Sequence, residues 1–171
     1  MPRSTVARID LEALRRNYQT ACRCAGGAQV MAVVKADGYG HGIGPVVSAL
    51  NSLVPKFAVA CLKEALAIRA NGLEQPVVLL QGVHAGEDLA ECAQQDFEPV
   101  LHSVQQLEWL ELSDQLPAFW LKVNTGMNRL GFHPGELAGV MIRLEAMKAS
   151  ERLLGFVTNF ACADDAENTM T

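Results

Sequence analysis

Short apolar segments rich in β-branched residues recur along the 171-residue chain at intervals that suit alternating strands and helices. Six such segments begin at residues 30, 57, 77, 98, 119 and 154, so that successive starts lie 27, 20, 21, 21 and 35 residues apart. A strand, a loop and a crossover helix occupy about this length of chain, which is how parallel strands are connected. We therefore predict a parallel sheet with the strands Val30–Val34, Phe57–Ala60, Val77–Leu80, Glu98–Leu101, Phe119–Val123 and Leu154–Phe160.

The stretches between these strands have the apolar spacing of helices. One follows the second strand and ends before Asn71 and Gly72, and another follows Pro134. A further helix is predicted before the first strand, with Asp10 as its N-cap. Its apolar face consists of Leu11, Leu14, Tyr18 and Ala21. We expect this helix to cover one end or one flank of the sheet.

Periodicity alone leaves two fold classes open, a doubly wound open sheet and a (β/α)₈ barrel, because both bury continuous apolar strands. A closed barrel of this type needs roughly 200 to 250 residues. Six β/α units in this chain would therefore form an incomplete barrel with two exposed strand edges. No linker or change of composition divides the sequence, so we expect residues 1–171 to form one partial domain.

Composition and charge exclude several classes of partner. Half of the residues are apolar, 19% are charged, and the net charge is −5. Since no basic cluster is present, we expect no nucleic-acid partner. The longest apolar run, Phe57–Leu62, is far shorter than the roughly 20 residues of a membrane helix, so we expect no membrane association.

The cysteines and the N-terminal residues bear on the cellular compartment in which the protein resides. The five cysteines have no C-x-x-C pair and no neighbouring histidine at the spacing of metal ligands. We therefore expect reduced thiols and no metal site at Cys22, Cys24, Cys61, Cys92 and Cys162. Residues 1–8 carry positive charge, but no apolar stretch follows them. This pattern predicts no export signal and a cytoplasmic protein.

The segment VVKADGYGHG at residues 33–42 follows the first predicted strand. Lys35 lies at the carboxyl end of that strand, where parallel α/β folds assemble active sites, and its amine is a candidate nucleophile. A lysine at a strand end can also simply extend to solvent. The glycines at 38, 40, 42 and 44 do not spell G-x-G-x-x-G. Either Tyr39 and His41 contact a phosphate there, or the segment is a flexible loop.

A second segment, Phe119–Phe132, also runs from an apolar strand into a loop that contains glycine. It places Lys122 and Arg129 at the same predicted edge as Lys35 and Tyr39. Such a group of donors suits an anionic cofactor and a substrate with a carboxylate, which an arginine binds through two parallel hydrogen bonds. The alternative is a set of surface cations that share no ligand.

Three runs of residues carry a family resemblance. The run AVVKADGYGHG at 32–42 resembles the pyridoxal phosphate attachment motif of alanine racemases. The run KVNTGMNRLGF at 122–132 resembles a second motif of that family, and FACAD at 160–164 resembles part of a third. Further matches lie at residues 9–18 and 57–60, so the resemblance extends over essentially the whole chain.

The resemblance implies a fold-type III enzyme that binds pyridoxal 5'-phosphate and interconverts L-alanine and D-alanine. It also implies an N-terminal (β/α)₈ TIM-type barrel, a C-terminal β domain and a homodimer with shared active sites. D-alanine supply for peptidoglycan, or alanine catabolism, would be the biological role. This chain resembles only the barrel portion, with about six β/α units and without the C-terminal β domain.

The resemblance also implies roles for individual residues. Lys35 would hold the cofactor covalently and act as acid and base on one face of the substrate Cα. Tyr39 would contact the cofactor phosphate. Arg129 would bind the cofactor and the substrate carboxylate, and Lys122, carbamylated in many relatives, would orient Arg129.

Two features depart from the family pattern. The tyrosine that relatives use on the opposite face of the substrate has no counterpart, because Tyr18 and Tyr39 align with other positions. Asn159 stands where relatives usually carry a histidine near the cofactor, and an asparagine does not titrate near neutrality. We therefore expect this chain alone to lack full racemase activity. The alternatives are a non-catalytic module that binds pyridoxal phosphate and an inert truncated remnant.

Overall fold

The computed structural model describes residues 5–165, 167 and 168. Residues 1–4, 166 and 169–171, which belong to the predicted 1–171 domain and the N-terminal segment, lie outside the described residues. Six strands form one parallel sheet, with each strand paired to the next along the chain. The strands are β1 (Ala32–Val33), β2 (Phe57–Val59), β3 (Val77–Leu79), β4 (Phe97–Leu101), β5 (Phe119–Lys122) and β6 (Leu153–Val157). The predicted parallel sheet is confirmed, with β1 and β6 at its two edges.

A helix precedes or follows each of the first five strands. The helices are α1 (Leu11–Cys24), α2 (Lys35–Tyr39), α3 (Ile43–Leu50), α4 (Leu62–Ala70), α5 (Asp88–Gln94), α6 (Val104–Glu111) and α7 (Leu137–Ala146). Short 3₁₀ helices lie at Pro134–Glu136 and Ser150–Arg152. Within the described residues, we find no helix with the length and apolar content needed to cross a membrane.

The predicted first helix is confirmed together with its cap. The Asp10 carboxylate accepts hydrogen bonds from the backbone N–H groups of Glu12 and Ala13, which the first turn of α1 leaves without partners. Arg15 Nε donates to the carbonyl of Ala49 at 2.8 Å, and Tyr18 donates to the carbonyl of Val30 at 2.9 Å. The helix therefore packs on α3 and covers a flank of the sheet.

The two faces of the sheet have different surroundings, and this difference decides the fold class. Phe57, Val59 and their counterparts on the other strands belong to a large core that contains residues from the helices. The alternate residues Ala58, Val78 and Val100 form a separate small cluster packed mainly against strand neighbours. Helices on one face only are typical of a barrel and not of a doubly wound sheet. The sheet is therefore part of a TIM-type barrel, open between β1 and β6.

The last strand differs from its prediction. β6 ends at Val157, three residues before the predicted end at Phe160, because Val157 is the last residue paired with β5. The prediction of a buried strand is wrong here, since Leu154 and Phe156 are 43% and 54% exposed. An edge strand has a neighbour on one side only, and no described helix covers the outer face of this one.

Candidate active site

A cavity of about 820 Å³ lies at the carboxyl ends of the strands, inside the curve of the sheet. Lys35 reaches it from the end of β1, Lys122 from β5 and Asn159 from the segment after β6. Arg129 reaches it from the loop that follows β5. This is the edge at which parallel α/β barrels place their active sites. The structure thus brings together three of the four cationic or hydrogen-bonding residues predicted to meet there.

Lys35 is followed by a turn with left-handed backbone conformation. The φ angles of Ala36, Asp37, Gly38 and Tyr39 are 53°, 54°, 61° and 55°. Left-handed backbone costs an L-residue roughly 1–2 kcal/mol, so three of these four residues are strained. The remaining residue, Gly38, tolerates this conformation, and a Cβ there would also approach Val46 Cγ2 to 3.3 Å. The segment is therefore a left-handed turn.

Hydrogen bonds hold this turn in place. Gly38 N–H donates to the carbonyl of Val34 at 2.9 Å, and Ile43 N–H donates to the Asp37 carboxylate at 2.7 Å. The turn carries the Tyr39 side chain outward, where it is 58% exposed and is not among the residues that line the cavity. The predicted contact of Tyr39 with a phosphate therefore stays a prediction.

Lys122 is buried, with 7% of its surface exposed. Its Nζ donates a hydrogen bond of 2.6 Å to Oδ1 of Asn159. Burial lowers the pKa of the Lys122 amine, and the positive charge of Arg129 lowers that pKa further. The amine therefore loses its proton more readily than that of an exposed lysine.

The loop between β5 and Arg129 is closed by backbone pairing at its base. Phe132 N–H donates to the carbonyl of Lys122 at 2.9 Å, and Asn124 N–H donates to the carbonyl of Phe132 at 2.8 Å. Gly131 has a φ of 118°, and a Cβ there would lie only 2.8 Å from Asn124 N. Glycine is therefore needed at position 131 for the loop to return beside Lys122. This return keeps the exposed Arg129 at the cavity.

The sequence interpretation missed a histidine at this edge. His102 directly follows β4 and lines the cavity. Its Nε2 donates a hydrogen bond of 3.1 Å to the carbonyl of Gln81. Gln106 Oε1 accepts from the backbone N–H of His102 at 2.8 Å and orients that residue. Burial lowers the pKa of His102, and the charge of Lys122 contributes in the same direction. Its position after the predicted strand Glu98–Leu101 was a signal that could have identified it.

The charge of the lining favours an anion. Lys35, Lys122 and Arg129 face the cavity, and among its described lining residues there is no aspartate or glutamate. The lining also includes apolar side chains, among them Met31, Val33, Val78, Leu80, Leu130 and Val157. A small organic ligand with an anionic group fits this combination of apolar wall and cationic rim.

Comparison with known proteins defines the class. Residues 9–171 match the family described as alanine racemase, N-terminal domain. The chain is 58% identical over 171 residues to an alanine racemase of Marinobacter nauticus. The matched region is 100% of this chain and 48% of that protein. It is 44% identical over 168 residues to an alanine racemase of Legionella pneumophila, with 96% of this chain and 47% of that protein covered.

A solved structure agrees with this match. The biosynthetic alanine racemase of Pseudomonas aeruginosa superposes with a TM-score of 0.88 at 38% identity, covering 95% of this chain and 46% of that one. The chain belongs to the alanine racemase N-terminal domain family. It spans about half the length of the curated relatives that it matches.

Proposed function

We propose that this chain is the barrel portion of a pyridoxal phosphate-dependent alanine racemase and that Lys35 is its cofactor attachment residue. The observation that carries the proposal is the convergence of Lys35, Lys122 and Arg129 on one cavity at the carboxyl edge of a partial barrel. The names of the relatives support alanine as the substrate. Cytoplasmic D-alanine supply by a homodimer is the role that we propose for the whole protein.

The residues present fit pyridoxal 5'-phosphate. The cofactor carries an aldehyde, an aromatic ring and a phosphate, and the cavity offers a half-buried amine, apolar walls and a cationic rim. When bound, pyridoxal phosphate acts as an electron sink that makes the substrate Cα proton acidic. The space of about 820 Å³ is sufficient for a ligand of this size.

In this proposal Lys35 would hold the cofactor through its amine and would remove or return a proton on one face of the substrate Cα. The Arg129 guanidinium binds the substrate carboxylate and approaches the cofactor. Tyr39 contacts the cofactor phosphate, which requires its exposed ring to turn toward the cavity. Full racemisation needs a second base on the opposite face, and the described cavity lining contains no tyrosine for that purpose.

We also propose that Lys122 is carbamylated. The lowered pKa of this amine raises its neutral fraction, which attacks carbon dioxide to form a carbamate with release of one proton. The product is an anion beside Arg129, so the repulsion between two cations becomes an attraction that orients the guanidinium. The Asn159 amide oxygen lies 2.6 Å from Lys122 Nζ, so the amide is placed to contact the carbamate.

Borohydride trapping tests the proposal. The purified chain is incubated with pyridoxal phosphate, reduced, digested and mapped by mass spectrometry, with Lys35→Ala as the control. We expect a selective adduct on Lys35, and in parallel an exchange of the Cα proton for deuterium that favours one alanine enantiomer. An adduct without exchange would indicate a non-catalytic cofactor-binding module. Labelling spread over all lysines would contradict the assignment of Lys35 and favour an inert remnant.

A further inference from the structure

Glu64 connects the loop after β1 to the loop after β2. It lies half-buried in the first turn of α4. Its Oε1 accepts from the backbone N–H of Ala36 at 2.7 Å, and its Oε2 accepts from the backbone N–H of Ala60 at 2.7 Å. Ala36 directly follows Lys35, and Ala60 directly follows β2. One carboxylate thus joins the ends of two neighbouring strands at the edge where Lys35 enters the cavity.

The contact with Ala36 falls on a strained residue. Ala36 has φ 53° and ψ 51°, so the chain turns into left-handed backbone immediately after Lys35. Such a conformation persists only where the surrounding structure compensates for it. A charge-assisted hydrogen bond from a backbone N–H to a carboxylate is among the stronger contacts that provide this compensation. On the strand side, Val34 N–H donates to the carbonyl of Ala58 at 2.8 Å, so Lys35 lies between two anchored amides.

We propose that Glu64 is a positioning residue for Lys35. Its carboxylate fixes the left-handed turn against the β2 end, which sets the direction in which the Lys35 side chain leaves the backbone. The inference rests on the proposed function of Lys35 and adds a residue, 28 positions away from Ala36 along the chain, that prepares the amine for its ligand. A glutamate in the first turn also stabilises its own helix, so the test must separate helix capping from positioning.

The chain offers a matched control in Glu136. Its carboxylate accepts from the backbone N–H of His133 at 2.6 Å at the start of the 3₁₀ helix that precedes α7. Glu136→Gln therefore weakens a helix-start contact of the same kind away from the turn that carries Lys35. Glu64→Gln keeps one oxygen acceptor but replaces the other with an amide nitrogen that cannot accept. Glu64→Asp keeps both oxygens on a side chain too short to span the two loops.

The first readout is the concentration of pyridoxal phosphate that gives half-maximal borohydride-trapped adduct on Lys35 of the full chain. We expect this concentration to rise roughly tenfold in Glu64→Gln and Glu64→Asp, the effect of losing about one charge-assisted hydrogen bond. It should stay within about twofold of the unmodified chain in Glu136→Gln. Equal values in all four chains, or an equal rise in Glu136→Gln, would overturn the inference.

The second readout uses no cofactor. Amide hydrogen exchange of the peptide covering residues 33–42 should be roughly tenfold faster in Glu64→Ala, which removes both carboxylate oxygens, than in Glu136→Ala, because the Ala36 amide then loses its acceptor. Unchanged exchange in this peptide would contradict the inference. If the unmodified chain forms no Lys35 adduct, the proposed function fails, while the exchange comparison still decides whether Glu64 fixes the turn.

Discussion

The amine Nζ of Lys122 donates a hydrogen bond of 2.6 Å to the amide oxygen of Asn159, which joins the end of β5 to the segment after β6. Both side chains line the candidate active site. Because an amide does not titrate near neutrality, this contact stays available to the lysine across the physiological pH range. Asn159 is therefore a constant hydrogen-bond partner of Lys122.

Removing that partner tests the contact. We expect Asn159→Ala to lower the free energy of unfolding at pH 7 by about 1–3 kcal/mol, because the buried Lys122 amine loses its acceptor. Urea denaturation measures the change. In a Lys122→Met background the same substitution should cost much less, since no amine remains to be satisfied. Equal costs in the two backgrounds would show that the two side chains are not coupled.

His102 makes the stability of the fold depend on pH. Its pKa lies below the ordinary 6.5 because burial disfavours the charged ring. Below the lowered pKa the folded chain must carry an unfavourable imidazolium, so the free energy of unfolding should rise as the pH rises through that value to 6.5. Urea denaturation between acid and neutral pH, compared with His102→Gln, measures the contribution. A variant with the same pH profile as the unmodified chain would contradict this prediction.

Gly155 is paired with Trp120 across β5 and β6, and an added Cβ would lie 3.1 Å from the Trp120 ring at a φ of 149°. We expect Gly155→Ala to destabilise the chain by about 1–3 kcal/mol, because an alanine is strained at this φ and its Cβ lies close to the ring. Gly139→Ala on α7 is the control, because a Cβ there meets no atom within 4 Å. That change should raise stability by up to about 1 kcal/mol through helix propensity. Thermal unfolding measures both changes, and an unchanged or raised stability of Gly155→Ala would contradict this prediction.

Glu98 is a buried carboxylate inside the barrel and has two partners. Lys56 forms an ion pair with one oxygen, and Trp120 Nε1 donates to the other at 2.8 Å. We expect Lys56→Met to cost about 2–3 kcal/mol, somewhat less than the roughly 3–5 kcal/mol typical of breaking a fully buried pair, because Lys56 is partly exposed. Glu98→Gln should cost less, since its amide oxygen can still accept from Trp120. Chemical denaturation compares the two, and the reverse order would refute this account.

Local pattern was sufficient for much of the fold. Apolar runs such as Val77–Leu80 predicted the parallel strands, and Asp10 predicted the start of α1. These signals work because strand burial and helix capping depend on residues close together in sequence. Lys35, Lys122 and Arg129 could be placed at one edge for a similar reason, since parallel strands end on the same side.

Only the tertiary structure decided the rest. The helices cover Phe57 and Val59 but not the face of Ala58, and this asymmetry selects a barrel over a doubly wound sheet although the periodicity is the same. The left-handed turn after Lys35 contradicts the local preference of Ala36, and a carboxylate from Glu64, distant in sequence, accepts the Ala36 N–H within it. Local preferences are small, so contacts between distant residues override them wherever the folded chain brings a strong partner within reach.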